Sequence, residues 1–239
     1  EIERRLLQSS QAIIENSDSE SYKAKIHHLR LGVKGNPPVV LIPGADRTQT
    51  LVLKDVIDSL SAIWPVYTLM DNIALNRAIP GTQPTNIQQL AAHYVAQILQ
   101  ILGVGKDIHI AGYCFGGLVA IEVAQQLLNL GINVVTVTAL DTVAPTSVNA
   151  ESLAQLEFHD LLKLCAFGFL GSKNKAMDRL LEKNFQTIPQ EAWRDYVADE
   201  FVKGKVANDH KSALVLLEDM LMKFIDSQHL MATDMTPSE

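Results

Sequence analysis

Cys114 is the residue of this sequence whose surroundings best suit nucleophilic chemistry. It lies between Gly112 and Gly116, where a short apolar stretch gives way to a helical pattern. A thiolate is a strong nucleophile, and the first N–H groups of a helix can stabilise an anion that forms beside it. Glycines fit the flanking positions because a Cβ there would meet the neighbouring strand or helix. The pattern predicts a cysteine exposed at a strained strand-to-helix corner.

The spacing is that of G-x-S-x-G, the nucleophile elbow of α/β-hydrolases, with cysteine in the serine position. A second interpretation stays open, because most free cysteines are small buried apolar residues. A thiol attacks well only as thiolate, and the usual base is a histidine oriented by a carboxylate. Asp141 follows a predicted strand and is the candidate carboxylate, with a loop-capping aspartate as the alternative.

Alternating strands and helices are predicted to position these residues. The predicted strands are Ile26–Val33 at an edge, Val39–Ile42, Val66–Met70, the strand that precedes Cys114, and a buried strand at Ile132–Leu140. The predicted helices are Thr50–Ala62, a helix that Thr85 opens with Gln88 in a capping box, and Gly116–Leu130. Such alternation predicts a mostly parallel sheet with helices on both faces, whose sites form beyond the carboxyl ends of its strands.

The sequence changes character after Pro145, and 150–230 contains no clear strand. Amphipathic helices are predicted at 151–167, 174–185, 190–202 and 209–226. An apolar cluster there is either additional core or the inner face of a lid over a lipophilic substrate; it comprises Leu161, Leu162, Leu164, Phe167, Phe169 and Leu170. The predicted organisation is an N-terminal helix and linker at 1–21, an α/β-hydrolase core at 22–148, and a lid region with a tail at 149–239.

The length, composition and charge of the chain limit the kinds of protein that it could be. A chain of 239 residues with 47% hydrophobic and 20% charged residues fits an ordinary α/β domain. Its net charge of −7 argues against nucleic acid or an anionic membrane as partner, and no apolar run is long enough to cross a bilayer. Two cysteines make no disulfide framework, which favours a cytoplasmic location. The first residue is Glu and not Met, which indicates a piece of a longer polypeptide.

Three segments of the sequence carry a family resemblance: LIPGA at 41–45, GYCFGGLVAIEVAQQL at 112–127 and LDTVAP at 140–145. On these the chain resembles the type I thioesterase domains that end non-ribosomal peptide and polyketide synthases. The resemblance implies that Cys114 receives the acyl chain and that Asp141 is the triad acid. It further implies an oxyanion hole from the N–H groups of Gly44 and Phe115, with Ala45 as a neighbouring candidate.

The same resemblance implies the substrate and the partner. The substrate is an acyl or peptidyl chain on the 4′-phosphopantetheine arm of a carrier protein, expected in the same parent polypeptide, and no bound cofactor or metal is expected. Cysteine in place of serine would store the product as a thioester, which amines and carbanions attack readily. The hypothesis is release by cyclisation, to a lactone, lactam or macrocycle, or by hydrolysis.

The triad histidine is the piece that the sequence does not supply. Downstream of Asp141 there are His159, His210 and His229, and none follows a convincing strand. In the family this histidine follows the lid and the last strands, which are expected to be missing here. His210, beside Asp209, is the best substitute within the chain.

Two rival interpretations remain. A dienelactone-hydrolase-like enzyme for small esters also has a cysteine elbow, but its acid lies further from the nucleophile and no large helical lid follows. A catalytically incomplete domain that only binds a carrier would explain the missing histidine. The reactivity of the Cys114 thiol discriminates between catalysis and such a scaffold role.

Overall fold

The computed structural model describes residues 24–45, 54–71, 83–103, 105–142, 158–170 and 174–234. The predicted N-terminal helix and linker at 1–21 lie outside these residues. The described residues form two compact units. The first comprises those within Glu1–Val148 together with the chain end from His229, and the second those within Asn149–Gln228.

The described residues of the first unit are built on a five-stranded sheet. Its strands are β1 (Ala24–Arg30), β2 (Val39–Ile42), β3 (Val66–Asp71), β4 (Ile108–Tyr113) and β5 (Val134–Leu140), in the order β1-β3-β2-β4-β5. Strand β1 pairs antiparallel with β3, and all the other pairs are parallel. The mostly parallel sheet predicted from the strand–helix alternation is therefore confirmed.

Helices cover both faces of this sheet. They are α1 (Lys54–Ser59), α2 (Ile87–Leu102) and α3 (Phe115–Asn129). Ile57 of α1 and the following Trp64 pack against Leu41 and its same-face neighbours. Since side chains alternate along a strand, Val40 and Ile110 point to the opposite face, where α3 contacts β2, β4 and β5. Both are fully buried, so the sheet has a core on each side.

Strand β5 differs from its prediction. It was predicted to be buried, but Val135 and Val137 are 45% and 43% exposed, and Thr136, Thr138 and Ala139 are exposed as well. Among the described residues β5 pairs with β4 alone, which makes it an edge of the sheet. A β-branched run predicts a strand but does not distinguish a central position from an edge, because that depends on which segments lie beside it.

The N-terminus of α2 is shifted by one residue from its predicted capping box. The N-cap is Asn86, whose side-chain oxygen accepts a hydrogen bond from the Gln89 N–H at 2.8 Å. The Gln89 side chain in turn accepts one from the Thr85 N–H at 2.9 Å. The prediction of Thr85 with Gln88 was therefore wrong. Thr and Asn are both good N-cap residues, and only the backbone conformation decides at which of the two neighbours the helix begins.

The second unit is helical among its described residues. Its helices are α4 (Phe158–Leu170), α5 (Lys175–Glu182), α6 (Trp193–Lys203) and, as far as Gln228, α7 (His210–Asp234), with short 3-10 turns at Phe185–Thr187 and Gln190–Ala192. Leu161, Leu162 and Leu170 of the predicted apolar cluster are buried in the core of this unit, whereas Phe167 is 49% exposed. None of the described helices is both long and apolar enough to traverse a bilayer.

Candidate active site

Cys114 stands at a sharp corner between β4 and α3. Its backbone has φ 52° and ψ −122°, and the residue is exposed, whereas Cys165 is fully buried. A positive φ is uncommon for a residue with a Cβ and costs about 1–3 kcal/mol, so the surroundings must hold it. This is the exposed, strained strand-to-helix corner that the sequence pattern predicts.

Close backbone packing explains the glycines around Cys114. A Cβ on Gly112 would overlap the carbonyl oxygen of Gly116, one turn into the new helix. A Cβ on Gly116 would overlap the carbonyl oxygen of Pro43 at the end of β2. The backbone of the corner thus packs directly against the first turn of α3 on one side and against the end of β2 on the other, with no room for a Cβ at either glycine.

Asp141 lies at the end of the strand next to β4. Tyr113 and Leu140 are paired in register, and the Cys114 N–H donates to the Leu140 carbonyl oxygen at 2.8 Å. Asp141 follows directly, is exposed, and has φ 51°. The structure thus brings the ends of β4 and β5, with the two predicted catalytic side chains, to one edge of the sheet.

The end of β2 lies on the other side of the elbow. A Cβ on Gly44 would lie 3.7 Å from the Cβ of Cys114, so the backbone at position 44 runs beside the nucleophile. Phe115 is the first residue of α3 and is buried. The first turn of this 15-residue helix directs N–H groups and the positive end of its dipole toward the corner. These are the groups from which an oxyanion hole could be formed.

His109 is distant from the elbow even though it shares β4 with it. It lies near the amino end of the strand, and at about 3.3 Å of rise per residue this places it roughly 15 Å from Cys114. Its Nδ1 is 2.8 Å from the Thr136 Oγ1, and its ring packs on Trp64 with centroids 4.3 Å apart. Burial lowers the pKa of His109, against a smaller opposing effect of Asp107. Its contacts are those of a structural residue.

His210, the substitute base considered from the sequence, pairs with two carboxylates of α6. Its Nε2 lies 2.8 Å from Asp195 and its Nδ1 2.7 Å from Asp199, one turn apart on α6. Hydrogen bonds to Asp195 and Asp199 raise the pKa of His210. Asp209 instead accepts hydrogen bonds from the N–H and hydroxyl of Ser212, in the first turn of α7. Through both ring nitrogens, His210 links α7 to α6.

His159 of α4 packs among aromatic rings of the second unit. Its ring centroid is 5.8 Å from that of Phe185 and 5.3 Å from that of Trp193. Its Nε2 lies 3.3 Å from an Asp160 oxygen.

Thr142 is a site residue that sequence reasoning missed. Its hydroxyl donates to the Cys114 carbonyl oxygen at 3.0 Å, and its side chain occupies the space that a Cβ on Gly117 would need. The available signal was the second glycine of Gly116–Gly117, which the elbow pattern does not require, together with a hydroxyl residue directly after Asp141.

The sheet order, the elbow between β4 and α3, and the acid position after β5 define an α/β-hydrolase fold. The thioesterase-domain family matches residues 64–195, more than half of the chain, and the chain belongs to that family. Comparison with curated proteins gives no sequence match.

Solved structures of thioesterase domains share this fold. A four-domain nonribosomal peptide synthetase, holo-AB3403 bound to AMP and glycine, matches 93% of the chain at 16% identity with a TM-score of 0.64. The chain spans only 16% of that protein's length. The Vlm2 thioesterase domain matches 92% of the chain over 75% of its own, at 17% identity and a TM-score of 0.58.

The NocB thioesterase domain, in covalent complex with a fluorophosphonate nocardicin G analog, is a further structure of this fold. It matches 87% of the chain over 70% of its own length, at 15% identity and a TM-score of 0.54. At these sequence identities the structural likeness establishes the fold of this chain and not its substrate.

Proposed function

We propose that this chain is a thioesterase domain that accepts an acyl or peptidyl chain from the phosphopantetheine thioester of a carrier protein onto Cys114. It then releases the product by cyclisation or hydrolysis. The observation that carries the proposal is an exposed cysteine at a strained corner, at the N-terminus of a helix, in a member of the thioesterase-domain family. No metal or organic cofactor takes part in the proposed reaction.

The first step is an exchange of thioesters. The Cys114 thiolate attacks the carbonyl carbon of the substrate, and the bond from that carbon to the pantetheine sulfur breaks. The N–H groups of Phe115 and Gly44, with Ala45 as a neighbouring candidate, stabilise the oxyanion between these events. The thiol proton passes to a base that Asp141 orients, and from there to the departing pantetheine thiolate.

The second step draws on the reactivity that the thioester retains. Because one thioester replaces another, little driving force is lost on loading, whereas a serine enzyme would store a less reactive ester. An internal amine, hydroxyl or carbanion, or water, then attacks the acyl–Cys114 carbonyl and expels the cysteine thiolate. This chemistry favours cyclic products such as lactams, small lactones and macrocycles.

The carrier protein must be engaged despite unfavourable overall charge. The chain carries a net charge of −7, and carrier proteins are usually acidic, so that long-range steering opposes their encounter. A tether within one polypeptide would overcome this by raising the effective concentration of the carrier to the millimolar range, as short flexible linkers do. We therefore propose a carrier in the same parent polypeptide.

Intact mass spectrometry with an acyl N-acetylcysteamine thioester, a mimic of the carrier arm, tests the nucleophile. We expect one acyl adduct on the wild-type chain and on Cys165→Ala, and none on Cys114→Ala. Cys165 is the matched control because its side chain is fully buried. Equal labelling of wild type and Cys114→Ala would refute the assignment, and so would an unlabelled wild type with a normal, unreactive thiol.

A further inference from the structure

Both backbone polar groups of Cys114 are held by the end of β5. The Cys114 N–H donates to the Leu140 carbonyl oxygen at 2.8 Å, and the Cys114 carbonyl oxygen accepts from the Thr142 hydroxyl at 3.0 Å. The two partners flank Asp141 on either side in the chain. The turn that carries the proposed acid is thus fastened at both its ends to the backbone of the proposed nucleophile.

The two residues joined in this way are both strained. Cys114 and Asp141 have φ 52° and 51°, in the left-handed region that side chains with a Cβ rarely adopt. Such conformations persist only where the surrounding structure fixes them. Thr142 contributes at both positions, because its hydroxyl oxygen also lies 3.2 Å from the Leu140 carbonyl oxygen and so spans the turn at Asp141.

The shape of Thr142 is accommodated by Gly117 in the first turn of α3. A Cβ built on Gly117 would overlap the Thr142 hydroxyl oxygen and would lie 2.8 Å from its Cβ and 2.9 Å from its methyl group. The glycine therefore provides the space in which Thr142 reaches the Cys114 carbonyl. The same carbonyl oxygen of Cys114 also accepts a hydrogen bond from the Gly117 N–H at 3.0 Å, so Thr142 and Gly117 both donate to it.

We propose that Thr142 is a positioning residue of this active site. Its hydroxyl holds the turn that carries Asp141 against the elbow, which keeps acid and nucleophile at a fixed separation. It acts through the backbone of Cys114 and not on the substrate. The inference rests on the proposed function for its effect on rate. The hydrogen bond from the Thr142 hydroxyl to the Cys114 carbonyl oxygen can be tested without substrate.

The experiment compares Thr142→Val, which keeps the shape and removes the donor, with Thr142→Ser, which keeps the donor. We expect Thr142→Val to slow acylation of Cys114 by the N-acetylcysteamine thioester about tenfold with little change in KM, the size expected for one lost hydrogen bond. Thr142→Ser should recover the rate to within about threefold. Thr138→Val, at an exposed position of β5, is the control and should match wild type.

Amide hydrogen exchange of Cys114, followed by NMR, gives a readout that needs no substrate. We expect Thr142→Val to speed the exchange of this N–H about tenfold, with wild-type exchange in Thr142→Ser. Wild-type exchange and acylation in Thr142→Val would overturn the inference. A loss confined to Thr142→Ser would overturn it too, because that variant keeps the donor and changes only the shape. A wild-type chain that is not acylated refutes the proposed function. In that case the exchange rates alone test whether the Thr142 hydroxyl holds the Cys114 backbone in place.

Discussion

At the elbow, backbone atoms of three segments meet more closely than side chains would allow. Gly116 is the residue where the end of β2 crosses the first turn of α3, and Gly112 is the residue where β4 meets that same turn. The strain at Cys114 depends on these contacts, because a corner this tight forms only if both glycines lack a Cβ. The nucleophile is thus placed by residues that take no part in the chemistry.

Gly116→Ala should destabilise the first unit by more than about 2 kcal/mol, because the new methyl group would displace the Pro43 carbonyl, which is backbone and cannot rotate away. Gly44→Ala is the comparison variant and should cost less, because its Cβ would meet the Tyr113 ring at 3.3 Å, a tight contact with a side chain that a small shift relieves. Urea unfolding curves measure both variants. Similar midpoints for the two would contradict this account of the elbow.

At the scale of the element, the two strands rich in valine have opposite environments. All four residues of β2 are buried between two faces covered by helices, whereas five consecutive residues of β5 are exposed. Strand β5 is nevertheless needed at the site, because its register with β4 sets Asp141 beside Cys114. Strand β5 therefore positions Asp141 at the site, and it adds little buried apolar surface to the stability of the fold.

Substitution of one valine in each strand should show this difference. Val40→Ala, at a fully buried position, is expected to cost about 2–3 kcal/mol of unfolding free energy for two lost methyl groups and the cavity. Val137→Ala, at a side chain that is 43% exposed, should cost less than about 1 kcal/mol. Denaturant unfolding of the two variants gives the comparison, and equal losses would mean that β5 is covered in solution.

At the scale of the molecule, the described residues form two units, each with its own apolar core and one tryptophan, Trp64 in the first and Trp193 in the second. The second unit also buries a charge. Glu200 is 1% exposed and accepts hydrogen bonds from Arg179 and Lys203 at 2.7 Å each. Burial alone would raise the pKa of Glu200, but the hydrogen bonds and charges of Arg179 and Lys203 outweigh it and hold the pKa below its usual value.

Glu200→Gln should destabilise the second unit by about 1–3 kcal/mol at neutral pH, because the variant loses charge-assisted hydrogen bonds in a buried position. A carboxylate with a lowered pKa stabilises the fold above its unfolded pKa of about 4.3, and this contribution is lost as the pH falls further. The difference between wild type and variant should therefore shrink below about pH 4.

The measurement is urea unfolding followed by fluorescence in a Trp64→Phe background, where Trp193 alone reports. Glu182→Gln is the control, because that side chain is exposed on α5. A variant as stable as the control at pH 7, or a difference that persists undiminished in acid, would contradict the role given to Glu200.

The order of strands and helices, the corner at Cys114 and the position of Asp141 could be predicted because they depend on local patterns. Glycines at fixed spacing, apolar runs and helical periodicity act over a few residues and leave a direct trace in the sequence. The one-residue error at the α2 cap shows the limit of such patterns, since Thr85 and Asn86 differ only in the backbone conformation that the fold gives them.

The sequence alone determined the fold class, the thioesterase resemblance, and the two side chains expected to carry the chemistry. The tertiary structure decided that β5 lies at an edge, that His210 contacts Asp195 and Asp199, and that Thr142 fastens the acid turn to the elbow. These features share one physical reason. Each depends on contacts between segments distant in the chain, and no local pattern of residues specifies which segments will meet.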